Sequence, residues 1–330
     1  MFAAMPSKNV LSSPGKETVL ATTTAPLQIL EEAISNTVKL VEKTLVMIVG
    51  LREKAECEYA LLSEPLISGL ATGFALDRHV IVTAAHVLSE SVDVCVVSLD
   101  GEISKAQLLG LDDRWDVAFL HLDRTMDSLS KATPRVGMMV LACGMAFGSL
   151  APYYSLGIIG GTFASINMNG KIVEGLLKSD AVTVPGMSGG PLVNLRSEAV
   201  GMILACSRDA IAPAYAVPIN RIEFSYRILK KYGRIVRPKI GIKVLSLCNR
   251  REYAYRGLIV ISVEKGSPAD LCGIDVGDII VGINDAELNS VEDLWNAIDE
   301  SIIKGLDHIE LTFYSRSRRR IDKCYIRLAL

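Results

Sequence analysis

The hydrophobic pattern changes rhythm along the chain, and each rhythm predicts a different kind of element. Residues 1–26 are rich in Ser, Thr, Ala and Pro without any period, which predicts a flexible tail. After Pro26 the apolar residues Leu27, Leu30, Ile34, Val38 and Val41 recur at near-helical intervals, which predicts one amphipathic helix. The runs then shorten to TLVMIVGL, ATGFAL, HVIVTAAHV, VDVCVVSL, AQLLGL, DVAFLHL, MMVLACG, LGIIGGTF, LVNL, AVGMILA and YAVPI, separated by turn residues. Many short strands at such spacing predict an all-β barrel or sandwich, not an alternating α/β sheet. Helical spacing returns in INRIEFSYRILKKY, which closes a unit spanning 27–232, and 233–237 reads as a linker. From 238 to 330 the grain differs again. IGIKVL, GLIVISV, DIIVGIN, HIELTFY and KCYIRLAL predict strands, SVEDLWNAIDE an amphipathic helix and SPADLCG a short capped one, together a small α+β domain with its own core.

At 330 residues the chain exceeds one ordinary core, since domains run to roughly 100–200 residues each. Half of the residues are hydrophobic and the formal net charge is -2, a foldable balance that gives no support to nucleic-acid binding. No charged side chain stands between Arg135 and Lys171, yet Gly137, Gly144, Gly148, Pro152, Gly157, Gly160 and Gly161 cut this stretch into pieces. None reaches the ~20 residues of a spanning helix, so buried strands with glycine turns are expected and no membrane span. The opening residues lack the apolar core of a signal peptide. Seven cysteines (57, 95, 143, 206, 248, 272 and 324) show no C-x-x-C pair and no metal-type spacing, and their number is odd. Reduced thiols are therefore expected rather than a disulfide framework, and with them a cytoplasmic location, export or membrane association being the alternative. His79, His121 and His308 have no ligand-like neighbours, so no metal and no cofactor is expected. Arg316, Arg318, Arg319 and Arg320 fall between two strands and predict a solvated hairpin turn.

The chemistry lies in short motifs that occur together. Ser188 sits in GMSGGPLV, a glycine-flanked turn before an apolar strand. Small flanks leave room for an incoming carbonyl, and a tight turn aims backbone N–H groups at one point. The turn Gly186, Met187 and Ser188 is the candidate oxyanion hole, with the amides of Gly186 and Ser188 as donors. His86 in VIVTAAHVL ends a buried strand and suits a general base. Asp116 in DDRWDVAFLHL heads another strand and suits the carboxylate that holds the imidazole tautomer. Asp112 and Asp113 precede the strand and are expected in a solvated turn. The order His86, Asp116, Ser188 is that of the chymotrypsin arrangement, not of subtilisin or the α/β-hydrolases.

These motifs, with TGFAL, TAAHV, LLGLDDRWDVAFL, GTFASI, KSDAVTVPGMSGGPLVNLRSEAVGM and AVPIN, resemble the HtrA (Deg) family of trypsin-fold serine proteases with a C-terminal PDZ domain. The C-terminal part resembles PDZ through KIGI, GLIVISVEKGSPADLCGIDVGDIIVGIND and VEDLWNAI. The resemblance runs from about residue 38 to the last residue. It implies a mainly β fold, a chymotrypsin-like double β-barrel followed by an α+β PDZ domain, with the triad in the cleft between the barrels. It also implies an ATP-independent endopeptidase acting on unfolded proteins and peptides, and assembly into trimers or multiples of trimers. Ile240, Gly241 and Ile242 occupy the place of the carboxylate-binding loop of PDZ domains. Two departures stand out: Met187 where the family usually has Asn or Asp, and GMAFG for the commoner GNPFG. Met187 favours an alternative, a weakly active or inactive relative acting as chaperone or scaffold. Val182 replaces the acidic residue that trypsin carries six positions before its serine, which predicts aliphatic preference at the scissile position.

Overall fold

The computed structural model describes residues 15–168, 171–204, 212–247 and 255–328, with the side chains of 15–24, 171–172 and 212 excepted. Helix α1 (Gly15–Glu42) packs Ile34, Val38 and Val41 against the first core. It begins well before the expected boundary and carries Pro26 inside it. Lys16, Glu17, Leu20 and Ala21 are helix formers, and Pro26 removes a single amide donor from the ladder, so the helix extends across the proline. The rest of the predicted tail, residues 1–14, lies outside the described residues.

Strand β1 (Leu45–Leu51), the short helix α2 (Cys57–Leu61), and strands β2 (Ile67–Asp77), β3 (Val80–Ala84), β4 (Asp93–Ser98), β5 (Ile103–Asp112) and β6 (Val117–His121) follow. The strands close a barrel in the order β1-β2-β3-β6-β5-β4. Successive side chains of a strand point to opposite faces. In β1 both faces are covered: Leu45, Met47, Val49 and Leu51 enter one apolar cluster, Val46 and Ile48 another. That double burial is why the strand reads as an unbroken hydrophobic run instead of an alternation.

A second set comprises β7 (Ser130–Lys131), β8 (Met139–Met145), β9 (Pro152–Met168), β10 (Lys171–Thr183), β11 (Pro191–Asn194), β12 (Glu198–Leu204) and β13 (Ala212–Pro218). The ring β11-β8-β9-β10-β13-β12 is closed by pairing of β11 with β12, and β7 adds to β12 in parallel. The uncharged stretch forms β8 and β9, and no helix among the described residues is long and apolar enough to cross a membrane. Burial is complete in β8 from Val140 onward but partial in β9, where Leu156, Ile158 and Phe163 are exposed.

Helix α3 (Ile219–Tyr232) ends at Gly233, whose φ of 67° is the left-handed conformation that stops a helix. The last sheet contains β14 (Ile242–Ser246), β15 (Leu258–Val263), β16 (Ile279–Ile283), β17 (Ala286–Glu287), β18 (His308–Ser315) and β19 (Arg320–Arg327), ordered β14-β15-β16-β18-β19 with β17 on β16. Helices α4 (Pro268–Leu271) and α5 (Val291–Lys304) complete it, and α5 starts at a capping box between Ser290 and Asp293. Residues 316–319, with Arg320 at the start of β19, form the exposed turn expected between the last two strands.

Two covalent and ionic ties depart from expectation. Cys57 and Cys95 form a disulfide with Cα atoms 5.7 Å apart, which overturns the reading of seven reduced thiols. The partners lie 38 residues apart and meet because β4 pairs with β1, the strand that leads into α2. Cys143 is a buried free thiol and Cys272 and Cys324 are half-buried ones, whereas Cys206 and Cys248 fall outside the described residues. Arg237, in the predicted linker, is not a solvated spacer. Its Nη2 lies 2.6 Å from Asp112 Oδ2 and its Nη1 pairs with Asp299 of α5. Asp112 is 1% exposed and also accepts the hydroxyl of Ser225, so the expected solvated turn is a buried anchor in which Asp113 alone is exposed.

Replacing Cys57 with Ser is expected to cost about 4 kcal/mol, the chain-entropy value for a loop of this length. Urea unfolding of wild type with and without reductant measures it, and coincident midpoints would contradict it. Arg237→Met leaves two buried carboxylates without their shared cation and is expected to cost about 3–5 kcal/mol, read as a lowered urea midpoint.

Candidate active site

Strand β3 is wholly buried, and the chain leaves it through Ala84 and Ala85 into a single 3-10 turn that carries His86. The turn is clamped to Asp116 three times. Ala85 N–H donates to the Asp116 carbonyl at 2.9 Å, His86 N–H donates to Asp116 Oδ1 at 2.8 Å, and the ring Nδ1 lies 2.5 Å from Asp116 Oδ2. Asp116 itself adopts φ 56°, a left-handed conformation that Asp tolerates better than most residues. With Nδ1–H given to the carboxylate, the imidazole keeps its lone pair on Nε2. The histidine side chain is 35% exposed and the aspartate 11%, so the imidazole reaches solvent while the carboxylate stays behind it.

Ser188 is 6% exposed and stands between Gly186 (φ 93°) and Gly189 (φ 84°). Both glycines are required by close approach as well as by φ. A Cβ on Gly186 would lie 2.4 Å from the Met145 carbonyl, and one on Gly189 would lie 2.2 Å from the Thr72 carbonyl and 2.8 Å from Ala84 N. The serine turn is thus packed onto the strand end that delivers His86, two residues beyond Ala84.

Thr72 in β2 joins the two barrels at this point. Its N–H donates to the Ser188 carbonyl at 2.9 Å, its hydroxyl donates to the Gly186 carbonyl at 2.7 Å and accepts from Met145 N–H at 2.8 Å, and its carbonyl accepts from Thr83 at 2.7 Å. Sequence reading quoted this threonine within TGFAL but gave it no role. A buried hydroxyl on an otherwise apolar strand is the signal that marks it.

Met187 is fully buried in the core of the second barrel, packed on Gly144, where a Cβ would come within 2.9 Å of its Cα. Its amide donates to the Val184 carbonyl at 3.2 Å. Of the three residues assigned to the oxyanion turn, Met187 therefore acts as an apolar anchor, and Gly186 and Ser188 are the candidate donors. GMAFG lies directly alongside, with Phe147 N–H bonded to the Pro185 carbonyl at 2.8 Å.

The candidate peptide loop is built differently. Ile240 and Ile242 are buried, and Gly241 has φ 83° with Ser267 so close that a Cβ would sit 2.1 Å from its side chain. Ala269 N–H holds the Ile240 carbonyl at 3.1 Å and Glu264 N–H the Gly241 carbonyl at 2.8 Å. Strand β14, which follows, is an edge strand. A cavity of about 380 Å³ adjoins this loop, and Arg114, Arg237 and Trp295 also line it. No group of three metal-type side chains occurs among the described residues.

A trypsin-like peptidase domain model matches residues 71–202 and a PDZ domain model matches residues 259–302. The HhoA serine protease of Synechocystis is 29% identical over 261 residues, covering 72% of this chain and 66% of the relative. The periplasmic pH-dependent serine endoprotease DegQ of Escherichia coli is 30% identical over 246 residues, covering 70% and 53%. The chain thus spans about half to two thirds of the length of these relatives. A crystal structure of the serine endoprotease from Yersinia pestis superposes with a TM-score of 0.64 at 25% identity, covering 89% of this chain and 96% of that one. The HtrA-type protease AlgW with a tripeptide shares the fold at a TM-score of 0.69 and 20% identity, over 89% and 96%. Two domain models matched in this order, structural likeness over 89% of the chain and the paired His86 and Asp116 agree: the chain carries a trypsin-like peptidase domain followed by a PDZ domain and is similar to HtrA-type serine proteases across both.

Proposed function

We propose that the chain is an ATP-independent serine endopeptidase that cleaves unfolded or damaged proteins. The observation that carries this reading is the 2.5 Å bond between His86 Nδ1 and Asp116 Oδ2, which presents a basic Nε2 beside the serine turn. His86 takes the proton of Ser188 Oγ as that oxygen attacks the peptide carbonyl, and Asp116 stabilises the imidazolium. Gly186 and Ser188 N–H groups receive the developing oxyanion. His86 then protonates the leaving amine, and water releases the acyl-enzyme by the reverse transfer. Val182 in place of an acid disfavours cleavage after Lys or Arg and suits an aliphatic side chain.

The PDZ domain takes part by binding peptide: the Ile240, Gly241 and Ile242 loop receives a carboxylate or bent chain while β14 accepts an added strand. Assembly into trimers or their multiples belongs to the same reading, with the exposed Leu27, Ile29 and Leu40 of α1 available for contact. The scaffold alternative rested on Met187, and its burial as a core residue removes that support. The cytoplasmic expectation is likewise set aside in favour of an exported protein. Relatives named as periplasmic and the Cys57–Cys95 disulfide both favour an oxidising compartment.

Incubation with unfolded casein and a fluorophosphonate probe tests the activity. Wild type is expected to cleave and label, and Ser188→Ala to lose at least about 10⁴-fold in rate. Wild type that does neither across temperature and pH would sink the reading, and cleavage after Lys or Arg in a peptide library would sink the aliphatic preference. Thr72→Val, which strips the hydroxyl from the Gly186 carbonyl and Met145 amide, is expected to lower kcat about tenfold or more with little change in KM. Recovery in Thr72→Ser would identify the hydroxyl as the cause.

A further inference from the structure

A second cavity, of about 150 Å³, lies where the turn before β6, the β9–β10 hairpin, α3 and the start of α5 meet. Trp115, Trp295 and Phe163 form its apolar walls, and Arg114, Arg221 and Glu292 its polar ones. Arg221 is only 3% exposed. Its Nη2 donates to Glu292 Oε1 at 2.9 Å, but its Nε and Nη1 have no hydrogen-bond partner. Neither does the Nε1–H of Trp115, which is also 3% exposed. The orphan donors share one wall, since Arg221 Cζ lies 4.2 Å from the Trp115 ring centre. A buried donor left without an acceptor is costly, so such a cluster implies an acceptor that fills the space.

The charges around the cavity favour an anionic acceptor. Arg114 stacks its guanidinium 3.8 Å from the Trp295 ring centre. Burial pulls Arg114 down to about 10, which leaves it cationic at neutral pH, and lowers Arg221 as well. Glu292 is already paired with Arg221, and Glu174, the other carboxylate on the lining, is exposed. Val291 and Glu292, the first residues of α5, also line the cavity. Water would bring protons that need acceptors of their own, whereas an ionised oxyanion is acceptor-only.

We propose that this seam is a binding site for a small oxyanion, a carboxylate or a phosphate, held by the free N–H groups of Arg221 and Trp115 with Arg114 supplying further positive charge. Its occupant would touch the residue next to Asp116 on one side and α5 of the PDZ domain on the other. The site owes nothing to the protease reading and is tested without turnover.

The chain has two tryptophans, and both wall this cavity, so intrinsic fluorescence reports on it directly. Purified full chain is titrated with inorganic phosphate and, separately, with acetate, at ionic strength held constant with sodium chloride. A saturable change is expected with at least one anion. Phosphate alone identifies a tetrahedral occupant, acetate alone a carboxylate, and both an unselective oxyanion site. Arg221→Gln is expected to raise the half-saturation concentration at least about tenfold, as loss of charge-assisted bonds requires. Trp115→Phe, which keeps the ring and removes the N–H, is expected to weaken binding too and carries the test if the arginine variant does not fold. Trp295→Phe retains all donors and is expected to bind with the signal of Trp115 alone. A response no different from that to chloride, or saturation unchanged in the donor variants, would overturn the proposal and leave a cavity filled by water.

Discussion

The active centre depends on one residue of the first barrel gripping a turn of the second. Thr72 bonds to the carbonyls on both sides of Met187, those of Gly186 and Ser188, and to the amide of Met145. Barrels do not share a backbone ladder, so their relative placement rests on side chains and loop contacts of this kind. A serine and a histidine carried on different barrels are useful to each other only within a narrow range of geometry. Thr72, with the glycines that let its strand approach, supplies that constraint from a position buried beneath the turn.

The same economy of contact governs the join to the PDZ domain. Arg237 is placed between an acid of β5 and an acid of α5, and Ile228 of α3 packs into the PDZ core. Burial raises the Asp299 carboxyl while Arg237 and Arg114 act to lower it, so the guanidinium offsets part of the desolvation that an acid there incurs. A segment that is irregular in backbone is therefore specific in its side chains.

The strands, the helices and the pairing of His86 with Asp116 were legible because they leave local signals. The runs around β1 and β3, the cap before α5 and the small residues flanking Ser188 carry their meaning within a few positions. What was not legible is tertiary. Cys57 and Cys95 become partners only because β1 and β4 are neighbours, and Asp112 looks like a turn residue until Arg237 and Ser225 are brought to it. The helix crossing Pro26 shows the opposite error, a strong local stop signal that the flanking helix formers override. Met187 looked like damage to a polar motif, yet its environment is an apolar core into which it fits.

The division of the site between barrels has a consequence for how the molecule is made. Thr72, His86 and Asp116 leave the ribosome well ahead of Ser188, and the strands that close the second ring, β11 and β12, come later still. A nascent chain can therefore complete its first barrel and still lack Ser188, the proposed nucleophile. The proposed nucleophile thus meets its partners only once the second ring has closed, after the strands that carry them are already in place.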